Sequence, residues 1–236
     1  DADTTRANEG DTITVTITAS EAITLPAVQI AGQYAAVSGA DDSWSATYTV
    51  VGADVIEGAA SVLIVYEDLA SNEGATETTM TDGSAVEIDL TVPTLPTVSI
   101  TSDNSNDVTK VNHGDTITLT FTSSEDITEP VVSLAGRSAS VSGSGSSWSA
   151  SYVVVGSAVS EGAVSLSIDF EDLASNSGVG VSAVTDGSEV VIDQTEPSLT
   201  AITIVSSNVA DTTRANVGDT ITLTITADEA IVITDT

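Results

Sequence analysis

Apolar and polar residues alternate along most of this chain. Ile117, Leu119 and Phe121 are interleaved with Thr116, Thr118, Thr120 and Thr122, and Leu166, Ile168 and Phe170 with Ser165, Ser167, Asp169 and Glu171. A period of two marks strands with one buried face, and no helical period replaces it. Between 94 and 197 the alternation is broken by turn residues at Gly136, Gly143-Ser144-Gly145, Glu161-Gly162 and Asp186-Gly187. It predicts strands near 97–101, 115–122, 130–135, 137–143, 147–154, 163–171 and 188–193. Trp148, Ala150, Tyr152 and Val154 share the inward face of the fifth. About seven short strands of this kind predict an all-β, immunoglobulin-like Greek-key sandwich.

The pattern is repeated in tandem. Gly-Asp-Thr-Ile-Thr begins at Gly10, Gly114 and Gly218, and 114 less 10 and 218 less 114 both give 104 residues. The same offset relates Trp44 to Trp148, Glu67–Asn72 to Glu171–Asn176, and Asp89-x-Thr-x-Pro93 to Asp193-x-Thr-x-Pro197. Spacing this strict predicts recently duplicated domains. Residues 1–93 read as an Ig-like domain lacking its first strand, 94–197 as a complete one, and 198–236 as the N-terminal part of a third. The chain starts without Met and reads as a piece of something longer.

Carrying the strand parity past the strand ends finds candidate chemistry. The inward series Ile117, Leu119, Phe121, Ser123 continues to Glu125, whose counterparts are Glu21 and Glu229. The series ending in Phe170 continues to Asp172. If strands alternate in direction, both carboxylates point inward at one pole, beside Asn176, where the preceding domain delivers Asp89. A carboxylate on a core-facing side has lost hydration and needs a donor or a cation. With Lys+Arg 4 against Asp+Glu 35, the expected cation is a bound metal. An all-oxygen cluster suits Ca2+, which accepts six to eight oxygens in flexible geometry.

The net charge of −31 excludes ordinary electrostatic attraction to nucleic acid or anionic lipid. It also fits a protein hydrated at high salt. Without cysteine there are neither disulfides nor thiolate sites. No nucleophile–base pair and no phosphate loop can be assembled, so the chain reads as non-catalytic. No targeting or membrane-inserting segment is recognisable.

Several features have bland readings. Asp107, Asp115 and Glu161, with counterparts Asp3, Asp11 and Glu57, define a second acidic pole of solvated turn residues. The Thr12, Thr14, Thr16, Thr18 ladder is an outward strand face, and the two tryptophans are core. His113 has no counterpart in the other copies and reads as exposed and without a role. Arg6, Lys110 and Arg214 recur before the second strand, each expected to pair with a nearby acid.

Ser-Glu at the end of the second strand, Asp-x-Ala-x-Asn after the sixth and a closing Asp-x-Thr-x-Pro together resemble the tandem bacterial Ig-like domains of giant, type I-secreted, RTX-adhesin-like surface proteins. The resemblance spans the whole chain. It implies calcium between successive domains, held here by Asp68, Asn72, Asp89, Asp172, Asn176 and Asp193. It also implies an extracellular location, at a cell surface or in a secreted filament. The expected function is a structural extender whose partners are the neighbouring repeats, each adding about 40–45 Å along its axis. A self-assembling filament or sheath, with lateral copies as partners, and a ligand-binding adhesin domain are the alternatives.

Overall fold

The computed structural model describes residues 4–156 and 159–232; Asp3 lies outside them. These residues separate into two compact units, Asp1–Ile192 and Asp193–Thr236. The first contains two successive hydrophobic cores.

In the middle repeat one antiparallel sheet runs in the order Thr97–Ser102, Thr116–Thr122, Ser147–Val153, Ser140–Ser144. The facing sheet places Val131–Leu134 between Arg137–Ser138 and Leu166–Asp169. The chain therefore passes from the first sheet to the second after Thr122, back after Ser138, and over again after Val153. That is the Greek-key course of an immunoglobulin-like sandwich. Ile117, Leu119 and Phe121 from one sheet meet Val132, Leu134 and Ile168 from the other, in a core that also takes Trp148 and Ala150. The alternation puts them there. Ile117, Leu119, Leu134 and Ile168 are fully buried, each contributing about 1.5–3 kcal/mol relative to an exposed position. Trp148 satisfies its indole N–H on the Gly145 carbonyl at 2.9 Å.

Three strands differ from the sequence expectation, and the one expected over 163–171 is cut to Leu166–Asp169, with Gly162–Ala163 in a separate sheet. The segment expected as one strand over 137–143 is two. Arg137–Ser138 pairs back on Val131–Leu134, and Ser140–Ser144 pairs with Ser147–Val153. The Ala139 N–H, which would join them, donates instead to the Val132 carbonyl at 2.9 Å. The last strand shrinks to Val191–Ile192, parallel to Lys110–Val111 and antiparallel to Gly162–Ala163. Periodicity reports which residues are buried, not which neighbour supplies the hydrogen bonds, so none of these changes was visible in the sequence.

The first repeat reproduces this arrangement, with Thr12–Thr18, Ser43–Thr49 and Ala36–Ala40 in one sheet and Ala27–Ile30 paired with Val62–Val65 in the other. Its core gathers Ile13, Val15, Val28, Ile30, Ala46 and Ile64. Among its described residues, the second unit contains one antiparallel pair, Leu199–Ser206 with Ile221–Ala227.

Candidate metal centre

The Leu166–Asp169 strand continues through Phe170 into a tight turn whose centre is Asp172, 1% exposed. Asp172 Oδ1 accepts the backbone N–H groups of Ala174 and Asn176, both at 2.8 Å, and Oδ2 accepts the Asn176 side-chain amide at 2.8 Å. Asp68 makes the same bonds to Ala70 and Asn72. Three residues of the repeated hexapeptide have a task in this turn. Asp accepts, Asn closes the ring, and Ser71 and Ser175 take the left-handed conformation at φ 63° and 67°, one that serine adopts at some cost and glycine freely.

Asp172 meets two further acids. Oxygens of Asp89, Glu125 and Asp172 lie within 4.8 Å of one another. Two oxygens bound to one calcium at about 2.3–2.6 Å can be no more than about 5 Å apart, so the spacing fits a shared ion. Asp89 comes from the first repeat, Glu125 and Asp172 from the second. The repeats are also tied directly, since Asn176 Nδ2 donates to the Asp89 carbonyl at 2.9 Å. The linker is held closely as well. Asp89 Oδ1 accepts the Thr91 N–H at 3.1 Å, Pro93 and Leu95 are buried, and Thr94 and Ser124 exchange hydrogen bonds at 3.0 and 2.9 Å.

The structure adds three features to what the sequence led one to expect of the donors. First, a protein cation does compete: Arg6 lies 3.7 Å from Asp89 and 3.5 Å from Glu87. Its strand, Arg6–Ala7, runs parallel to Glu87–Ile88, and that pairing aims the guanidinium at the linker. Second, Asn176, expected as an oxygen ligand, uses its amide nitrogen to bridge Asp172 and the Asp89 carbonyl, a tie between the repeats beside any role of its oxygen. Third, Glu57 is not merely solvated at a distant pole. Its Oε1 accepts the Leu90 N–H at 2.8 Å and the Thr91 hydroxyl at 2.9 Å, and its charge acts on Glu125. The far end of one repeat is the near end of the next. Arg6 and Glu57 carried a signal in the sequence, their recurrence as Lys110 and Glu161.

The remaining candidates are spread out. Glu21, Asp68 and Asn72 line one groove of the first repeat together with Glu73 and Glu77, but among the described residues no three acids there bring ligand atoms within 4.8 Å of one another. Asp193 and Glu229 belong to the second unit, where Asp193 accepts the Thr195 N–H at 3.3 Å and Glu229 is half-buried. Asp107 and Asp115 cap their own turns through Thr109 and Asn112. His113, expected to be without a role, accepts the Gly156 N–H at 2.8 Å, as Glu9 accepts that of Gly52. Arg214 pairs with Asp211 at 3.2 Å, an exposed contact of little weight.

Burial, reinforced by Asp89, Asp172 and Glu57 and opposed by Arg6, holds the Glu125 carboxyl above its ordinary value of 4.5. A raised acid favours its protonated form in the folded junction. Its stabilising proton is present below the ordinary value and lost as pH rises through the folded one. A metal ion has to displace that proton, so affinity should fall on acidification. Calorimetric titration with calcium at pH 5 and pH 7.5 should show weaker binding at pH 5, and Glu125→Gln should flatten the difference. Equal affinities in the unaltered chain would contradict this account.

No family model matches the chain, and no curated protein matches it. The chain is similar to fibronectin(III)-like modules. Those of Clostridium thermocellum CbhA align at 12% identity over 80% of this chain and 89% of theirs, with a TM-score of 0.36. A Bacteroides ovatus SGBP-B of a mixed-linkage glucan utilization locus, solved with a mixed-linkage heptasaccharide, aligns at 13% identity and a TM-score of 0.23. That alignment covers 86% of this chain and 47% of the other. The sandwich assignment rests on the strand pairing itself. Among the described residues, no helix is long and apolar enough to cross a membrane.

Proposed function

We propose that this chain is part of an extracellular extender, a row of immunoglobulin-like sandwiches whose junctions calcium stiffens, holding a distal module away from a cell surface. The observation that carries the reading is the meeting of Asp89 from one repeat with Glu125 and Asp172 from the next. One ion bound there would tie both domains to a single point. The reading assigns no catalytic role to the chain. Its acidic surface, net −31, suits a solvated stalk that repels nucleic acid and anionic lipid.

Without metal, three carboxylates crowd the junction and are offset only in part by Arg6, 29% exposed at its side chain. The hydrogen bonds from Asn176 and between Thr94 and Ser124 remain, so the hinge loosens without coming undone. Small-angle scattering of the chain should show greater stiffness and a longer maximum dimension with calcium than with chelator. The far-ultraviolet β signal should be the same in both, because the cores contain no metal ligand other than Asp172. Superimposable scattering curves would refute calcium stiffening.

A further inference from the structure

The Arg6 guanidinium lies between two acids of its own repeat, 3.7 Å from Asp89 and 3.5 Å from Glu87. The backbone sets that position. Arg6–Ala7 runs parallel to Glu87–Ile88 with Arg6 opposite Glu87, and the pairing is fixed by the Glu87 N–H on the Thr5 carbonyl at 2.8 Å and the Asp89 N–H on the Ala7 carbonyl at 3.0 Å. Neither bond uses the Arg6 side chain. Glu87 and Asp89 are two residues apart in extended chain and share a face, so one guanidinium reaches both. The positive charge also reaches Glu125 of the next repeat, where it opposes the effect of the neighbouring acids.

Asp89 is therefore held from two sides. Within its own repeat it faces Arg6, and across the junction its carboxylate comes within 4.8 Å of those of Glu125 and Asp172. We propose that Arg6 is a built-in rival to the metal: it holds Asp89 while calcium is absent, yields it when calcium binds, and keeps Glu87 as its partner. The inference rests on the calcium reading of the junction and adds to it the residue pair that sets the calcium level at which the junction stiffens.

Glu87 makes the exchange feasible. With its carboxylate 3.5 Å away, the guanidinium keeps an acid when Asp89 turns to the metal, and its charge, 29% exposed at the side chain, is not left uncompensated. The exchange then costs one partly exposed ion pair together with the repulsion between guanidinium and ion. That cost is small enough for calcium to prevail and large enough to raise the concentration it needs. The middle repeat lacks this cradle. The positions paired as Arg6 and Glu87 hold Lys110 and Val191 there, a point charge in place of a planar fork and an apolar side chain in place of the acid.

Calorimetric titration of the chain with calcium provides the test. Arg6→Gln should bind calcium about two- to fivefold more tightly, the weight of a partly exposed ion pair, and Arg6→Lys, which keeps the charge, should stay closer to the unaltered chain. Glu87→Gln should act the other way and weaken binding, because Arg6 then turns to Asp89. The loss should be much smaller once Arg6 is replaced, so the double variant Arg6→Gln/Glu87→Gln separates the exchange of partners from the simple removal of a negative charge. The backbone pairing does not depend on these side chains, so all four variants should keep the far-ultraviolet β signal of the unaltered chain. Calcium affinity of Arg6→Gln equal to or below that of the unaltered chain, or a Glu87→Gln loss of the same size in both backgrounds, overturns the inference and leaves the calcium reading standing. Absence of calcium binding in the unaltered chain overturns both.

Discussion

Asp172→Ala is expected to destabilise the middle repeat by about 2–4 kcal/mol and to abolish calcium binding at the junction. The stability loss follows from the turn. Asp172 is 1% exposed and is the acceptor for two backbone N–H groups and the Asn176 amide. Removing it orphans donors at about 1–3 kcal/mol each, partly recovered as water enters. The binding loss follows from the cluster, which drops from three carboxylates to two. Urea unfolding in chelator reads the first effect, and calcium titration of the folded variant the second. Because the two effects share one residue, Glu125→Gln serves to separate them. Glu125 accepts none of the turn's hydrogen bonds through its side chain, so its substitution should weaken calcium binding with little change in stability. A stable Asp172→Ala chain with unaltered calcium affinity would remove the site from the junction.

Gly143→Ala should cost the middle repeat about 3 kcal/mol. Gly143 lies opposite Trp148 in the ladder at φ 140°. A Cβ there would stand 2.4 Å from the Ser147 carbonyl oxygen and 2.8 Å from the Trp148 Cα. Both are backbone atoms, so no rotamer change relieves the clash. The Ser140–Ser144 strand would have to pull away from its neighbour, loosening the cover over Trp148. For a domain of this size the loss corresponds to a fall on the order of 15 °C in the middle repeat's melting temperature. The exposed neighbour substitution Ser142→Ala should stay within about 0.5 kcal/mol. Scanning calorimetry of the two variants provides the comparison, and a Gly143→Ala transition matching that of the unaltered chain would refute the packing argument.

Much of this architecture could be read from the order of residues alone. A two-residue period states which side chains are inward, whatever the neighbours. Ile117, Leu119, Phe121, Ala150 and Val154 are all buried, as is Asp172 beyond the last strand. The 104-residue offset likewise carried the turn chemistry from one copy to the next, because Asp68 and Asp172 sit in identical local sequences and the Asx-type bonds they make are local. Even the convergence of Glu125 with Asp172 was legible, since strand parity and alternating direction determine which ends share a pole.

What the sequence could not determine is everything that depends on a partner distant in the chain. Whether Arg6 neutralises Asp89 depends on the parallel pairing of Arg6–Ala7 with Glu87–Ile88, and a two-residue strand leaves no periodic trace. That Asn176 ties the linker carbonyl through its amide nitrogen depends on where the preceding repeat docks. Glu57 joins the junction because the end of one sandwich abuts the beginning of the next. Parity is a property of a single strand and survives any change of surroundings. The electrostatic balance of a site is a sum over groups brought together from several segments, and only the tertiary structure decides which groups enter it.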